Sequence, residues 1–561
     1  MSTLEPADTG ASAALWRASY PAGVPVSIDP DAFPSLHALL LAACRQHAER
    51  PAFDFLGATM TFADWERLSA AFAGFLRERL GRKAGDRVAI MMPNVLAYPV
   101  AFLGILRAGL TVTSVNPLYT PRELAHQLSD SGATTIVIME NFAHKLESVI
   151  AETPIEHVVV ARLGDLVAPL KRWAFNFANT WLRKAVPAWR FERYTMLQDA
   201  CSHPPAQPLP DPAIVPAAPA VLQYTGGTTG VAKGAMLSHR NLVANALQCA
   251  TWISTDAVPG VERVLTPLPL YHIFSLTANM LTFASIGGMN VLVPDPRDIR
   301  RLIATMRRTR VTAMSGVNTL FNALANSKEF ATLDFSTLKF AIGGGAAVQS
   351  AVAERWRAVT GTALVEGYGL TEASPVVCIN PLANPSIGTV GLPVPSTEVS
   401  IRDEEGRPLA QGEMGEVCVR GPQVMQGYWE RPDEARRVLT ADGWLRTGDV
   451  GVIDAHGFVK LLDRKKDMII VSGFKVFPNE VEDVVCQMPG VLEAAAIGVP
   501  DEHAGQVVKL FVVRRDPELT EDAVRAYCRD NLTGYKRPRT IEFRDALPKS
   551  NVGKILRKEL H

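Results

Sequence analysis

Residues Tyr224 to His239 read YTGGTTGVAKGAMLSH, in which glycines, threonines and one lysine are concentrated before an apolar run. Glycine lets backbone N–H groups converge on an anion, threonine hydroxyls add uncharged donors, and Lys233 adds a mobile cation. This composition indicates a phosphate-binding loop, although a surface turn rich in glycine and threonine has the same composition.

The loop does not fit the Walker A motif, in which a lysine directly follows a glycine and a serine or threonine directly follows the lysine. Here Val231 and Ala232 precede Lys233, and no serine or threonine comes after it. The next residues, GAML, favour a second strand, and a helix is expected only from about Ser238. A strand, a loop and a strand differ from a phosphate site at a helix N-terminus.

Four further residues could do chemistry, and each also has an ordinary structural explanation. Glu372 in GYGLTEASP could bind magnesium or stabilise a helix N-terminus. Asp449 in LRTGDVG could accept hydrogen bonds from ribose hydroxyls or form a turn. His272 in PLPLYHIFSL could be a catalyst or a satisfied core histidine. Lys554 in PKSNVGKILRKEL could be a ligand-binding cation or a solvated terminal lysine.

The elements that must position these residues alternate between helical and strand-like patterns. Residues 61–80 have a helical period with large apolar side chains on one side. The β-rich runs RVAIMM (87–92) and TTIVIME (134–140) are each followed by a helical segment, which predicts α/β layering. The Pro- and Ala-rich stretch 203–219 predicts a surface linker that leads into the strand AVLQYT.

The pattern changes after the charged run DRKKD at 463–467. A helix NEVEDVVCQM, strands AAAIGV and VVKLFVVRR, and a helix from Thr520 follow, and Thr520 suits the N-cap of the last helix. We therefore predict a large α/β region of several subdomains at 1–463. A small α+β domain is predicted at 464–561, joined to it near Lys466.

Composition restricts the class of protein. A chain of 561 residues exceeds one domain, and its 57 basic and 57 acidic residues do not suggest a nucleic-acid partner. Seven scattered cysteines without a Cys-x-x-Cys pair predict reduced thiols in a cytosolic protein. The polar N-terminus MSTLEPADTG does not fit a signal peptide, and the apolar run 95–106 is too short to span a bilayer.

Together and in this order, the motifs resemble the adenylate-forming superfamily of acyl-CoA synthetases, firefly luciferases and peptide-synthetase adenylation domains. The resemblance extends from about Phe33 to the C-terminus and rests on YTGGTTGVAKG, LPLYH, GGGA (343–346), EGYGLTE, GWLRTGD, DRKKDMIIVSGFKVFPNEVE and PKSNVGKILR. Within the family, NPLYTPREL, GPQVMQGYW, DRKKDMIIVSGF and LTGYKRP look like the bacterial long-chain fatty acid CoA ligases. The resemblance implies the adenylate-forming fold, with a small mobile C-terminal domain.

The resemblance also implies a nucleotide site. The β- and γ-phosphates of ATP would be held by Thr225, Gly226, Gly227, Thr228, Thr229, Gly230 and Lys233. The adenosine would be bound by Gly344, Gly345, Gly367, Tyr368, Gly369, Thr371, Asp449 and Arg464. In this set Tyr368 would stack on the adenine, and Asp449 and Arg464 would bind the ribose.

The implied activity is ATP-dependent long-chain fatty acyl-CoA ligation in two steps. Attack of the fatty carboxylate on the α-phosphorus would give acyl-AMP and pyrophosphate, and CoA thiol would then give acyl-CoA and AMP. Glu372, with Thr225, would hold Mg²⁺, while His272 would sit near the acyl carboxylate. Lys554 would bridge that carboxylate and the α-phosphate, and since two anions meet, its charge and that of Mg²⁺ should dominate.

One lysine that serves the first step and a thiol that enters in the second need different surroundings. The resemblance implies that the small domain rotates between the steps, with Lys466 at the hinge. The loop VSGFK would then line the pantetheine tunnel through Gly473 and Phe474.

Three points about substrate and activity stay open at the level of sequence. Apolar residues at 273–283 and 317–324 could wall an acyl tunnel or pack as ordinary core. The acid could be medium-chain or aromatic, and the acyl group could pass to a carrier protein instead of CoA. A catalytically silent acyl- or nucleotide-binding sensor is a further alternative, which the intact set Glu372, Asp449, Arg464 and Lys554 argues against.

The segment 171–193 interleaves six basic residues with six aromatic ones. Cations meet lipid phosphates and indoles sit at headgroup depth, so this composition suits peripheral contact with the inner membrane surface. An amphipathic surface insertion packed on the protein has the same pattern. The expected location is the cytoplasm, with or without this membrane contact; the oligomeric state is open, and a homodimer is one expectation.

Overall fold

The computed structural model describes residues 16–203, 212–225, 232–550 and 553–561, and these residues form four β-sheets flanked by helices. Five residues of the predicted phosphate loop lie outside the described residues: Gly226, Gly227, Thr228, Thr229 and Gly230. Residues 204–211 of the predicted linker at 203–219 lie outside them as well.

The strands of the two large sheets are, in chain order, β1 (Pro51–Phe55), β2 (Ala58–Thr61), β3 (Arg87–Met91), β4 (Thr111–Ser114), β5 (Thr135–Met139), β6 (His157–Ala161), β7 (Tyr194–Met196), β8 (Pro219–Thr225), β9 (Lys233–Ser238), β10 (Arg263–Thr266), β11 (Met289–Leu292), β12 (Ala313–Gly316), β13 (Phe340–Gly343), β14 (Leu364–Gly369), β15 (Val376–Ile379) and β16 (Leu392–Pro393). The two smaller sheets contain β17 (Glu398–Arg402), β18 (Gly415–Arg420), β19 (Leu445–Ile453), β20 (Val459–Arg464), β21 (Ile469–Val471), β22 (Phe474–Val476), β23 (Val491–Asp501), β24 (Gly505–Arg514) and β25 (Thr540–Arg544).

The α-helices are α1 (Leu36–Gln46), α2 (Phe62–Gly74), α3 (Ala97–Arg107), α4 (Pro121–Ser131), α5 (Ala143–Glu147), α6 (Pro169–Phe177), α7 (Leu197–Ala200), α8 (His239–Trp252), α9 (Thr282–Ser285), α10 (Ile299–Thr309), α11 (Asn318–Ala325), α12 (Ser350–Thr360), α13 (Pro432–Val438), α14 (Pro478–Cys486) and α15 (Glu521–Asn531). Wider π-helical turns occur at Phe75–Arg79, Ala178–Leu182 and Ser275–Leu281. Short 3₁₀ turns occur at Trp16–Ser19, Glu140–Phe142, Ile150–Glu152, Phe330–Thr332, Thr371–Ala373, Gly534–Lys536 and Arg557–Glu559.

The strand order shows the α/β layering that the sequence predicts. A seven-stranded sheet has the order β7-β6-β5-β3-β4-β8-β9, and a nine-stranded sheet has the order β16-β15-β14-β13-β12-β10-β11-β1-β2. In the first sheet every pair is parallel except β8 with β9. All five residues of β5 are buried, as expected for a parallel strand that helices cover on both faces.

Several helices begin where the sequence predicts them. Ser238 is the N-cap of α8, and its hydroxyl accepts a hydrogen bond from the backbone of Asn241. Thr520 caps α15 in the same way, through the N–H of Ala523. Both hydroxyls satisfy N–H groups that have no partner within the helix, which confirms the two predicted starts.

The predicted buried segments are also confirmed. The apolar run at 95–106 forms α3, in which all residues but the last are buried. Among the described residues, no helix is both long and apolar enough to cross a membrane. All seven cysteines are unpaired and buried.

The C-terminal part of the chain has a sheet and a core of its own. A four-stranded sheet, β17-β18-β19-β20, precedes it, and the last sheet has the order β22-β21-β24-β23 with β25 paired to β24. The larger core cluster of this last part consists of residues between Ile469 and Ile541, among them Val485 and Leu510, and a smaller cluster includes Leu547 and Leu560. We call residues 464–561 the small domain and residues before 464 the large region.

Candidate active site

A cavity of about 740 Å³ lies where the large region meets the small domain. The large region contributes Gly345 and Tyr368 to its wall, and the C-terminal loop of the small domain contributes Lys554 and Arg557. Residues from distant parts of the chain therefore face one space.

Tyr368, Asp449 and Arg464 form a connected group in this cavity. Asp449 on β19 and Arg464 on β20 are opposite each other in the register of the antiparallel pair. The Tyr368 hydroxyl donates to Oδ2 of Asp449 at 2.5 Å, and Nε of Arg464 lies 2.8 Å from Oδ1. Burial, with Asp449 adjacent, raises the pKa of Tyr368 well above its usual range, so the phenol stays a hydrogen-bond donor.

Lys554 reaches the same cavity from the small domain. Its backbone N–H donates to Oγ of Ser550 at 3.1 Å, and its carbonyl oxygen accepts from the N–H of Ser550 at 2.7 Å, which forms a tight turn. Solvent in the cavity reaches the side chain, but protein atoms surround it on most sides. Burial, followed by the positive charge of Arg464, lowers the pKa of Lys554.

His272 lies close enough to Lys554 to respond to its charge. Burial and the charge of Lys554 lower the pKa of His272 to about 4. The imidazole is therefore neutral near pH 7, and its Nδ1 accepts the N–H of Phe274 at 3.3 Å. A neutral ring can remain beside a cation and an anionic substrate without adding positive charge of its own.

Two of the glycines predicted to frame the adenine, Gly344 and Gly369, lie where a side chain would crowd neighbouring atoms. A Cβ at Gly344 would come within 3.1 Å of the ring of Phe274 and 3.2 Å of the carbonyl oxygen of Gly367. A Cβ at Gly369 would overlap the carbonyl group of Pro375. Gly367 and Gly369 lie on β14, on either side of Tyr368, so side chains at these two positions would point to the opposite face of the strand from its ring.

The two ends of the glycine-rich loop are paired. Thr225 and Lys233 are opposite each other in the β8–β9 register, so the loop closes a hairpin as the sequence predicts. The ammonium of Lys233 forms an ion pair with Glu434 of α13 and lies 5.6 Å from the ring centre of Tyr428. Burial, then the nearby charge of Arg437, lowers the pKa of Lys233.

Glu372 is joined to this hairpin through Tyr428, whose hydroxyl donates to Oε1 of Glu372 at 2.7 Å. Among the described residues there is no group of three or more His, Cys, Asp or Glu that could hold a metal. Magnesium at nucleotide sites is bound by one or two carboxylates together with phosphate oxygens and water. A single carboxylate beside the phosphate hairpin fits that donor set, and Thr371 lies next to it.

The anchoring of the hairpin by Asp130 is a feature that the sequence does not reveal. Oδ2 of Asp130 accepts the hydroxyl of Tyr224 at 2.7 Å, and Oδ1 accepts Nη2 of Arg431 at 2.7 Å. Tyr224 directly precedes Thr225, so Asp130 fixes the start of the loop. Asp130 lies at the end of α4, far away in sequence, and no local motif marks it.

Glu366 is a second residue that the sequence does not single out. It lines the cavity one position before Gly367, and its Oε1 accepts the N–H of Val348 at 3.2 Å. Burial, opposed by that hydrogen bond and reinforced by Asp483, raises the pKa of Glu366 to about 8. Glu366 is therefore mostly protonated at pH 7.

The remaining predicted residues lie in the small domain and its connection. Lys466 is exposed in the turn between β20 and β21. Gly473, at φ +84°, joins β21 to β22, and Phe474 beside it is half exposed and stacks on Tyr535 with ring centres 4.6 Å apart. The expected acyl residues Leu276 and Met280 are fully buried in the core and line neither this cavity nor a smaller one of about 280 Å³.

The fold and the cavity can be compared with those of known enzyme families. The family model described as AMP-binding enzyme matches residues 40–429, and the model described as AMP-binding enzyme C-terminal domain matches residues 480–554. The chain belongs to this family, the adenylate-forming enzymes.

The chain is also similar to individual proteins and solved structures of this family. The long-chain-fatty-acid–CoA ligase of Salmonella typhimurium is 53% identical over 547 residues, which cover 97% of each protein. Among solved structures, the anthranilate CoA ligase AuaEII in complex with anthranoyl-AMP is 25% identical with a TM-score of 0.84, and the match covers 95% of this chain and 98% of that one. ATP-bound MatB from Rhodopseudomonas palustris is 28% identical with a TM-score of 0.79, covering 94% and 98%.

Proposed function

We propose that this protein is an ATP-dependent long-chain fatty acid–CoA ligase that forms acyl-AMP first and acyl-CoA second. The observation that carries the proposal is the meeting of Lys554, from the small domain, with the Tyr368–Asp449–Arg464 group in one cavity. A relative named for this activity, 53% identical along nearly the whole chain, supports the choice of acid and of acceptor.

Each residue has a physical task in the first step. Asp449 and Arg464 bind the ribose, and the ring of Tyr368 stacks on the adenine between Gly367 and Gly369. Lys554 contacts both the fatty carboxylate and the α-phosphate, and its positive charge offsets the repulsion between the two anions. His272 stays neutral and donates a hydrogen bond to the carboxylate from Nε2, since its Nδ1 already accepts the N–H of Phe274.

We propose that the phosphates lie along the β8–β9 hairpin, with Thr225 and Lys233 at its two ends. Glu372 and Thr225 hold Mg²⁺, which supplies charge neutralisation at the phosphate oxygens when it is bound. Tyr428 donates to one oxygen of Glu372 and so fixes the direction in which the other oxygen can act as a ligand. Gly226, Gly227, Thr228, Thr229 and Gly230 belong to the same proposed phosphate loop.

Domain rotation about Lys466 is part of the proposal. The small domain has its own core, which supports rotation as one body, and Lys466 lies in an exposed turn at its boundary. After acyl-AMP has formed, rotation removes Lys554 and brings Gly473 and Phe474 to the site, where they line the pantetheine path of CoA.

A panel of acids tests the function directly. Purified protein is assayed with ATP, magnesium and CoA against saturated acids of graded length and against benzoate and anthranilate. We expect thioester and AMP to form fastest with long-chain acids. Faster turnover of an aromatic acid would favour an aryl ligase, as the solved anthranilate ligase suggests. Thioester formation only on a phosphopantetheine carrier protein would replace CoA as the acceptor.

We also propose that the segment around α6 contacts the inner membrane surface. One face of α6 packs on the large region through Phe175, whose ring lies 6.1 Å from that of Phe55. On the other side, Trp173 is 64% exposed and Trp181, in the following turn, is 71% exposed. Exposed basic residues flank them, and cations with interfacial indoles are what anionic lipid attracts.

Vesicle flotation tests this contact. The variant Trp173→Ala/Phe177→Ala/Trp181→Ala should float less than wild type with vesicles that contain anionic phosphatidylglycerol. Phe474→Ala removes an exposed aromatic ring elsewhere and is the matched control. Equal flotation of wild type and the triple variant would refute the contact. A cytoplasmic location and a homodimer remain predictions, which fractionation and light scattering can check.

A further inference from the structure

The helix α12 of the large region is capped by a residue of the small domain. Its N-cap residue, Gln349, makes no capping hydrogen bond with its own side chain. Instead, Oδ1 of Asp483 in α14 accepts the backbone N–H of Ser350 at 3.1 Å, and both carboxylate oxygens lie within 2.9 Å of the Ser350 hydroxyl. The first N–H groups of a helix lack intrahelical partners and carry partial positive charge, so a carboxylate there is stabilising.

Asp483 belongs to a row of contacts across this boundary. Three neutral hydrogen bonds accompany it: Gln349 to Cys486 Sγ (3.0 Å), Asn322 to the Leu492 carbonyl (3.1 Å) and Thr319 to the Gly553 carbonyl (3.1 Å). Arg557 also crosses the boundary, to Asp463 at 3.1 Å, but it lies three residues after Lys554. Replacing Arg557 would disturb Lys554 itself, so Asp483 is the better probe of the boundary.

We propose that Asp483 is a positioning residue that latches the small domain in the orientation that puts Lys554 into the cavity. The inference rests on the proposed two-step function, in which this orientation serves acyl-AMP formation and a rotated one serves thiolation. Rotation about Lys466 separates Asp483 from Ser350 and leaves the N-terminus of α12 without its cap. The latch therefore acts on the equilibrium between orientations and leaves the chemistry of each step unchanged.

The variant Asp483→Ala tests the latch through the two half-reactions measured separately. Acyl-AMP formation is followed in single turnover from palmitate and ATP, and thioester formation from supplied palmitoyl-AMP and CoA. We expect the ratio of the thiolation rate to the adenylation rate to rise about fivefold, which is the usual effect of losing a capping side chain. This ratio is proportional to the equilibrium constant between the orientations, so it changes by the full factor whatever the starting populations.

Three further variants separate a latch from a general structural role. Asp483→Asn keeps an oxygen that can accept from Ser350 and should stay near the wild-type ratio. Ser350→Ala should raise the ratio in the wild-type background and have little effect in the Asp483→Ala background, because the hydroxyl acts through the carboxylate. Asp530→Ala removes an exposed carboxylate on α15, a different helix of the small domain, and should change neither rate.

An unchanged ratio in Asp483→Ala would overturn the latch. If both rates fall by the same factor, the ratio is also unchanged, and the result would indicate a destabilised small domain. Failure of the proposed function is recognised separately. In that case wild type itself forms no acyl-AMP from any fatty acid, and the variants cannot be ranked by this ratio. Wild type that completes both steps, with Asp483→Ala unchanged, refutes the latch alone.

Discussion

The charge of Lys554 acts on His272 across the boundary between the large region and the small domain. Lys554 belongs to a turn near the C-terminus, and His272 follows β10 in the large region, yet the charge of one lowers the pKa of the other. A cation and a neutral imidazole of this kind can share one carboxylate, the first by charge and the second by a hydrogen bond.

Replacing Lys554 should separate the two steps of the reaction. Lys554→Ala should slow acyl-AMP formation by at least about 100-fold, because a preorganised cation at the reacting anions is lost. Thioester formation from supplied acyl-AMP should persist, since Lys554 has left the site by then. Lys558→Ala, an exposed lysine of the same terminal segment, is the matched control. Equal loss of both half-reactions would contradict the assigned role.

Glu366 predicts a pH dependence of stability. Its pKa in the folded protein, about 8, is raised above the ordinary glutamate value of 4.5, mainly by burial. Between these two values the unfolded chain releases a proton that the folded protein keeps, so this group lowers stability as pH rises from 4.5 to 8. The thermal midpoint of Glu366→Gln, relative to wild type, should therefore increase between pH 5 and pH 8. A constant difference across that range would contradict a buried, protonated Glu366.

At the scale of elements, the turn between β20 and β21 is the proposed hinge. Lys466→Pro restricts the backbone of that turn. It should leave acyl-AMP formation close to wild type, because Lys554 already lies in the cavity, and slow thioester formation. Single-turnover assays of each half-reaction measure both effects, with Lys466→Ala as the control for loss of the charge. Undiminished thiolation would place the hinge elsewhere.

Local sequence was sufficient to predict the elements whose cause is local. Hydroxyl caps at Ser238 and Thr520 and the buried run in α3 are set by neighbouring residues, and the structure confirms them. Asp130 and Asp483 could not be predicted, because their partners are distant in sequence and a single aspartate in a helix has no distinctive pattern. The order of strands within each sheet depends on the same long-range packing.

In the site, too, some residues could be predicted from the sequence and others could not. Motif resemblance indicated Tyr368, Asp449, Arg464 and Lys554, and the structure places all four at one cavity. It assigned no role to Glu366, although Glu366 is the first residue of the motif EGYGLTE, because a raised pKa depends on burial that no spacing expresses. The expected acyl residues are apolar core residues, and apolar character alone does not distinguish a tunnel wall from packing.

At the scale of the whole molecule, the separate core of the small domain predicts unfolding in two transitions. Leu510 on β24 is fully buried in that core. Leu510→Ala should lower the stability of the small domain by about 3 kcal/mol through the cavity it leaves, with little effect on the large region. A urea titration monitored by hydrogen exchange in the small domain and in the large region measures the stability of each part. A single transition that shifts as a whole would show that the two parts unfold as one unit.

The ion pair of Lys233 with Glu434 makes phosphate binding at the hairpin an exchange of anions. Any phosphate that Lys233 holds must compete with a carboxylate of the protein, so only a strongly charged ligand displaces it. A triphosphate and departing pyrophosphate carry enough charge, whereas AMP has no group at that position. Once pyrophosphate leaves, the ion pair between Glu434 and Lys233 can form again. This ion pair would oppose the rebinding of pyrophosphate and so favour the forward reaction.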